Sequence, residues 1–282
     1  MITLKNEYLT VSINPLGAEL SSLKSNETTR EYIWQGDPSV WNGHSPILFP
    51  IAGRLKGDSY LYNGKAYCLP KHGFARRNEF DIVSVSPKSA AFSLKDNEKT
   101  LTVYPFFFDL TAEYSLNGKT LTVTNTVSNT DSTPIYFSLG AHPAFNIKVG
   151  DSVVFSEKED LTAVLFDSYG LLGSKKTLAE NADSIVIDAH IFDNDAIFFE
   201  NMNSTSAKIV SADGEEILEM SYGKVPYLGL WAKPNAPYVC IEPWHGICDT
   251  KEVSGKIEEK PCIIELDPNK KFVFSYTITV LN

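Results

Sequence analysis

The side chains of this sequence best suited to proton transfer are its five histidines, four of which lie in segments interrupted by Gly or Pro. The segments are WNGHSP around His44, PKHGFAR around His72, GAHPAFN around His142 and EPWHG around His245. Loops of this kind often carry binding and catalytic residues. A surface or turn-capping role is the alternative for each His alone, but four such contexts together predict a shared site.

Carboxylates are the natural partners for such histidines. Glu242 follows the short apolar run Tyr238–Ile241 and precedes Trp244. Burial beside these residues raises the proton affinity of a carboxylate and makes it a better base. The alternative is a structural Glu that pairs with an Arg. Asp193 and Asp195 fit either a turn or a site.

Arg54 is the cation most suggestive of a site, because it follows the apolar run LFPIA and a Gly. In that position it either orients a polar ligand or pairs with a buried carboxylate. We predict no metal site, because none of the five histidines forms HxH, HExxH or a His–Cys spacing typical of ligands. The four cysteines are expected to be reduced, small buried side chains.

Several catalytic classes lack their motifs. There is no GxSxG nucleophile elbow, no GxGxxG and no Walker sequence. The chemistry that remains is acid–base work by His and Glu on a polar, uncharged ligand. Trp and Phe side chains would supply stacking surfaces.

The charge balance limits the partners. The chain of 282 residues has 25 Lys and Arg against 35 Asp and Glu, a formal net charge of −10. Nucleic acids and anionic membranes bind basic surfaces, so neither is expected as a partner. No run of 18 apolar residues predicts a membrane span, and the first residues do not resemble a secretory signal. We therefore expect a cytoplasmic protein, a monomer or a weak dimer, whose ligand is a small molecule.

The elements that must position these residues are strands. Apolar and small polar residues alternate over Leu9–Ile13, Leu110–Leu116, Leu121–Val127 and Phe272–Val280, which is typical of half-buried strands. Asn63-Gly64, Asn117-Gly118 and Asp213-Gly214 favour the positive φ values of type I′ turns and predict antiparallel hairpins. The segment Ser21–Trp34 is interpreted as a loop or a short turn of helix. The whole pattern predicts one all-β domain over residues 1–282, a sandwich or an open barrel.

Four motifs, in this order, resemble the landmarks of the aldose 1-epimerase (mutarotase) family: LFPIAGR, KHGFAR, GAHPAFN and CIEPWHG. The similarity is greater to a bacterial branch of that family, related to a lactose-operon product, and it spans most of the chain. The resemblance implies a large antiparallel β-sandwich, the supersandwich of the galactose mutarotases, which agrees with the strand pattern.

The resemblance also implies a reaction, the interconversion of the α and β anomers of a free aldose without a cofactor. Glu242 matches the general base that takes the proton of the C1 hydroxyl, and His142 matches the general acid that protonates the ring oxygen O5. His72 and Arg54 match residues that hydrogen-bond the sugar. Asp195 is assigned to the sugar hydroxyls only by its order in the chain. Trp244 is expected at the binding site.

Three other functions stay open. A hexose-6-phosphate epimerase would need positive charge, which Lys71, Arg76 and Arg77 could supply; a solvated basic corner is the alternative for these three. A non-catalytic carbohydrate-binding β-sandwich would not need both Glu242 and His142. A glycosidase would need a second carboxylate about 5–10 Å from Glu242.

Overall fold

Strands dominate the structure, a computed structural model that describes residues 1–282. One short α-helix, three 3₁₀ turns and 22 strands follow one another along the chain. The strands are β1 (Ile2–Lys5), β2 (Leu9–Asn14), β3 (Glu19–Ser25), β4 (Ile47–Leu48), β5 (Ser59–Tyr62), β6 (Lys65–Cys68), β7 (Asp81–Val85), β8 (Ser89–Lys95), β9 (Phe108–Asn117), β10 (Thr120–Asn129), β11 (Ile135–Phe137), β12 (Leu139–Ala141), β13 (Ala144–Asn146), β14 (Ser152–Phe166), β15 (Leu172–Val186), β16 (Ile197–Glu200), β17 (Ser206–Val210), β18 (Glu216–Ser221), β19 (Tyr227–Trp231), β20 (Tyr238–His245), β21 (Ile264–Leu266) and β22 (Lys271–Val280). The helix α1 spans Glu98–Val103 and the 3₁₀ turns span Lys56–Asp58, Ala75–Arg77 and Ile257–Glu259.

The main sheet contains 15 strands in the order β4-β12-β20-β19-β16-β14-β17-β18-β22-β10-β9-β8-β7, with β13 paired to β20 and β15 paired to β14. A three-stranded sheet, β1-β2-β3, and two two-stranded sheets, β5-β6 and β11-β21, complete the fold. Every pair of these strands is antiparallel. The predicted all-β, antiparallel architecture is therefore confirmed.

The alternating sequences lie on strands with one buried face. Along β10, buried and partly buried residues alternate without exception, and Leu121, Val123 and Val127 are fully buried. Their neighbours on the other face are Thr and Ser, which form cross-strand pairs such as Thr124 with Ser275. Apolar residues on one face bury the sheet against a core, while short hydroxyls suit the face near water.

The three turn dipeptides all occur between antiparallel strands, but only one has the predicted geometry. Both Asn63 (φ 48°) and Gly64 (φ 74°) have positive φ, as a type I′ turn requires. In the β9–β10 hairpin, Asn117 pairs with Thr120, so the turn residues are Gly118 and Lys119. The β17–β18 connection is longer, because Val210 pairs with Glu216 across a register shift. A dipeptide thus predicted pairing more reliably than it predicted the turn centre.

Two segments differ from the sequence-based expectations. The start of Ser21–Trp34 belongs to β3, because Leu20 and Leu23 are buried there and β3 pairs with β2. The helix α1 was not predicted; Asn97 caps it by accepting hydrogen bonds from the backbone N–H groups of Lys99 and Thr100. No helix in this fold is both long and apolar enough to cross a membrane.

Strand β20 is the element that positions most of the candidate chemistry. It is buried along almost its whole length, between β19 on one edge and β12 and β13 on the other. Successive side chains of a strand point to opposite faces. Glu242 and Trp244 therefore lie on one face, and His245 lies on the other, against Phe272 and Phe274.

Candidate active site

A cavity of about 250 Å³ lies over the Glu242 face of β20. This volume is below the roughly 300–1,000 Å³ of sites for drug-sized ligands, and it suits a single small ring. The wall combines acid–base groups, aromatic rings and cations. Its principal residues are Trp41, Lys71, His72, Arg76, His142, Phe166, Asp195, Phe198, Trp231, Lys233, Glu242, Trp244 and Cys248.

The innermost polar contact of the cavity joins His142 and Glu242. Nε2 of His142 lies 3.2 Å from Oε2 of Glu242, and the two side chains are only 9% and 2% exposed. Register explains the contact: Gly140 pairs with Trp244 and Ala144 pairs with Cys240, so His142 lies opposite Glu242. The sequence could not supply this register, because it depends on long-range pairing.

Burial governs the protonation of this pair. It raises the pKa of Glu242 well above its usual range, and the nearby Asp195 acts in the same direction. Burial also lowers the pKa of His142 to about 3, helped by the charges of Lys71 and Arg76. The charged forms lose solvation on burial, so both shifts favour the neutral pair. Such opposed shifts in a cleft are typical of acid–base sites.

His72 completes the polar core of the cavity with a fixed tautomer. Its Nδ1 accepts a hydrogen bond of 3.1 Å from the backbone N–H of Gly53, and burial lowers its pKa well below the usual range. The neutral ring therefore carries its proton on Nε2, which is a donor. The next residue, Gly73, has φ +67°, and a Cβ there would overlap the carbonyl of Phe49. This explains why Gly follows His in the KHGFAR segment.

Aromatic rings enclose the acid–base groups. The ring of Trp41 stacks on His142 at a centroid distance of 5.3 Å, and Trp231 meets the same imidazole edge-on at 5.6 Å. Trp244 in the same wall packs against Phe198 at a centroid distance of 4.3 Å. Flat apolar walls with a few convergent polar groups are typical of small-molecule sites.

The two candidate aspartates are separated by the structure. Asp195 lines the cavity, is exposed and has a positive φ of 75°. Asp193 instead lies 2.9 Å from His190 on the surface, where the His side chain is 82% exposed. Asp195 is thus the aspartate near the site, and its role toward a ligand stays a prediction.

Arg54 does not line the cavity, contrary to the expectation from the resemblance. Its Nε and Nη2 donate to the two carboxylate oxygens of Asp58 at 2.8 and 3.1 Å, on a surface where both side chains are over 40% exposed. The short 3₁₀ turn between them brings Asp58 back to Arg54. The Arg in the cavity wall is Arg76, whose Nε is buried without a hydrogen-bond partner in the protein.

The remaining predicted residues also separate. His72 and His142 share the cavity, whereas His44 contacts the carbonyl of Trp34 and His245 packs against phenylalanines. Only two of the four cysteines are buried as expected, Cys240 and Cys248; Cys68 and Cys262 are exposed. Sequence reasoning missed four cavity residues, Trp41, Trp231, Phe198 and Lys233. The last three lie in segments without a motif, whereas Trp41 had one signal, its place in the WNGHSP segment.

The structure thus combines an antiparallel β fold with a cavity that holds a buried His–Glu pair between aromatic walls. The family model described as aldose 1-epimerase matches residues 1–279. The chain belongs to the aldose 1-epimerase family.

Individual relatives cover the whole chain. The LacX proteins of Lactococcus lactis are 37% identical over 302 residues, which is 100% of this chain and 99% of theirs. A galactose mutarotase related enzyme from Lactobacillus acidophilus is 31% identical with a TM-score of 0.94, over 100% of this chain and 97% of that one. A galactose mutarotase-like protein from Lactobacillus casei is 27% identical with a TM-score of 0.92, over the full length of both.

Proposed function

We propose that this protein is an aldose 1-epimerase that interconverts the α and β anomers of a free aldohexose. The observation that carries the proposal is the contact of 3.2 Å between His142 and Glu242 inside the cavity. Anomerisation needs one group to remove the proton of the C1 hydroxyl and another to protonate the ring oxygen O5. Both oxygens are bonded to C1, so the two groups must be close neighbours.

The pair can serve both ring opening and ring closure because one exchangeable proton can reside on either His142 or Glu242. Carboxylate with imidazolium and carboxylic acid with neutral imidazole contain the same number of protons. From the neutral pair, the proton of Glu242 first passes to His142. Glu242 then takes the C1 hydroxyl proton while His142 gives its proton to O5, which leaves Glu242 protonated and His142 neutral again. The sugar opens to the aldehyde, C1 rotates about C1–C2, and the reversed transfers close the ring on the other face. There is no net redox change, so the proposed reaction needs no cofactor.

Other wall residues have supporting roles in this proposal. Nε2–H of His72 donates to the sugar near O5, where it stabilises developing negative charge. Trp41, Trp231 and Trp244 present faces to the apolar C–H surfaces of the pyranose. Asp195 accepts from sugar hydroxyls. We propose that the protein acts in the cytoplasm as a monomer or a weak dimer.

A hexose 6-phosphate is the second candidate substrate, because three cations line the same cavity. Lys71, Arg76 and Lys233 contribute positive charge to a wall whose carboxylates are Glu242 and Asp195. Arg76 is half-buried. Its Nη2 donates to the carbonyl of Lys71, but its Nε has no partner in the protein, and a guanidinium with a free donor suits a phosphate. A non-catalytic sugar-binding protein is less well supported, since binding alone does not require a buried imidazole–carboxylate pair.

The test is anomer exchange measured by NMR for glucose, galactose and glucose 6-phosphate, each against its spontaneous rate. We expect excess exchange with at least one of these sugars. Glu242→Gln should reduce the excess by roughly 10²–10⁴-fold, the usual contribution of a positioned acid or base. Glu265→Gln, at an exposed Glu on β21, is the matched control and should retain the native rate. No excess exchange with any sugar, or full activity of Glu242→Gln, contradicts the proposal.

A further inference from the structure

Three potential metal-ligand atoms meet at the wall of the cavity. One ring nitrogen of His142, the thiol of Cys240 and one carboxylate oxygen of Glu242 all lie within 4.8 Å of one another, and all three residues are buried. His142 and Glu242 line the cavity, whereas Cys240 lies behind them with 0% exposure. An ion that enters the cavity therefore reaches two of the three ligands directly.

Strand geometry creates the cluster from residues that no sequence motif connects. Cys240 and Glu242 are two positions apart on β20, so their side chains share a face. Ala144 pairs with Cys240, which brings the preceding His142 beside both of them. The spacing of His and Cys along the chain gives no metal motif, because His142 lies far earlier in the sequence, in the short break between β12 and β13.

The donor set is selective. Imidazole nitrogen, thiolate sulfur and carboxylate oxygen are the ligands of Zn²⁺, whereas Ca²⁺ and Mg²⁺ prefer oxygen alone. Three protein ligands would leave a fourth tetrahedral position for a water. Zn²⁺ binds thiolate and carboxylate, so the thiol proton of Cys240 and the carboxyl proton of Glu242 pass to solvent on binding.

We infer that His142, Cys240 and Glu242 form a Zn²⁺-binding site whose occupation blocks the acid–base pair. The inhibitory consequence rests on the proposed function, because the ion takes the lone pairs with which Glu242 and His142 would exchange protons with the sugar. The metal site itself rests only on the geometry of the three side chains. Cys240 has no part in the proposed proton transfers, so it separates the two roles.

Cobalt provides a readout that does not depend on activity. Chelator-treated native protein is titrated with Co²⁺, which takes the same ligands as Zn²⁺ and gives a thiolate charge-transfer band in the near ultraviolet when a Cys binds it. We expect that band in the native protein, its removal by Zn²⁺, and its loss in Cys240→Ala. Cys248→Ala is the matched control, since Cys248 is a second buried thiol at the cavity; this variant should keep the band.

Activity gives the second measurement. Zinc titrations of anomer exchange are scaled to the metal-free rate of each variant. We expect Cys240→Ala to need at least about tenfold more Zn²⁺ for half-inhibition than the native protein. Loss of a residue that only hydrogen-bonds a metal ligand commonly costs roughly 10–100-fold in affinity, and Cys240 is itself a ligand in this proposal.

The outcomes separate the two proposals. A cobalt band that depends on Cys240, in a protein with no excess anomer exchange, supports the metal site and overturns the proposed function. Active protein without the band, a band that survives in Cys240→Ala, or stimulation by Zn²⁺ overturns the inhibitory site.

Discussion

The protein has two buried contacts between a nitrogen-containing side chain and a carboxylate, His142–Glu242 and Lys260–Asp249. They differ in how many of their polar atoms have a hydrogen-bond partner. Asp249 contacts Lys260 at 2.8 Å, with side chains 4% and 3% exposed. Its second carboxylate oxygen accepts from the backbone N–H of Lys56, and Lys260 also donates to the carbonyl of Ile247. Both carboxylate oxygens of Asp249 and the ammonium nitrogen of Lys260 therefore have hydrogen-bond partners within the protein.

The His142–Glu242 contact is as buried but incomplete. Nδ1 of His142 has no hydrogen-bond partner in the protein, and both side chains line the cavity. A buried polar group without a partner destabilises a fold, so such groups call for a functional explanation. The comparison teaches that burial of charge alone does not mark a site; access to the cavity together with spare hydrogen-bonding capacity does.

The largest expected effect is on the rate of anomer exchange, when the His142–Glu242 contact is broken. His142→Asn should lower excess anomer exchange by about 10²–10⁴-fold, because the group that exchanges a proton with O5 is lost. The unfolding free energy should change little in comparison. His190→Asn, at an exposed His, is the control and should keep both activity and stability. An active His142→Asn protein would contradict the assignment.

Removal of one partner of the Asp249–Lys260 contact should lower the free energy of unfolding. Asp249→Ala leaves the Lys260 ammonium buried without its counter-charge, and breaking a buried pair in this way costs about 3–5 kcal/mol. Urea unfolding measures the loss. The double variant Asp249→Ala/Lys260→Met, which removes both charges, should regain most of it; if it regains none, the cost arises from something other than the orphaned charge.

His245 tests whether a lowered pKa by itself signals function. Burial against Phe272 and Phe274 lowers its pKa to about 4, whereas an unfolded His has a pKa of about 6.5. The unfolded chain then binds the proton more readily, so stability is lost as the pH falls from about 6.5 to about 4. His245→Leu should remove up to about 3 kcal/mol of this acid sensitivity and leave anomer exchange unchanged.

The His245 measurement compares unfolding free energies at pH 7 and near pH 4.5 in the native and variant proteins. Equal losses in both would show that the acid sensitivity arises from other groups. A fall in anomer exchange in the variant would show that this face of β20 also supports the chemistry.

The smallest expected effect is a difference in KM between variants of two arginines, Arg76 and Arg54. Arg76→Ala should raise the KM for a 6-phosphorylated hexose about tenfold or more, in line with the loss of a hydrogen bond to a charged group. Arg54→Ala removes an exposed pair worth roughly 0–1 kcal/mol and should change KM less than Arg76→Ala. Steady-state anomer exchange measures both KM values. A larger increase in KM for Arg54→Ala than for Arg76→Ala would indicate that Arg54, not Arg76, contacts the ligand.

Sequence reasoning reached the architecture because alternation and turn chemistry are local. It did not identify β15, in which polar and small residues outnumber the large apolar ones and which pairs with β14. Weak β propensity was overridden there by tertiary contacts.

The site was predicted in part for the same reason. Glu242, His142 and His72 lie in motifs with recognisable neighbours. Trp231 and Lys233 do not lie in such motifs. Arg54 pairs with Asp58 across a 3₁₀ turn that no sequence pattern predicted. The Cys240 cluster depends on the register between β13 and β20, which is fixed only in the folded protein.

The most direct test of the central claim, that His142 and Glu242 act as one unit, is the double variant His142→Asn/Glu242→Gln measured by NMR anomer exchange beside both single variants. Residues that act together show strongly non-additive losses. We predict that the double variant loses about as much excess rate as the more damaging single variant. Losses that multiply, or a single variant with the native rate, would contradict the account.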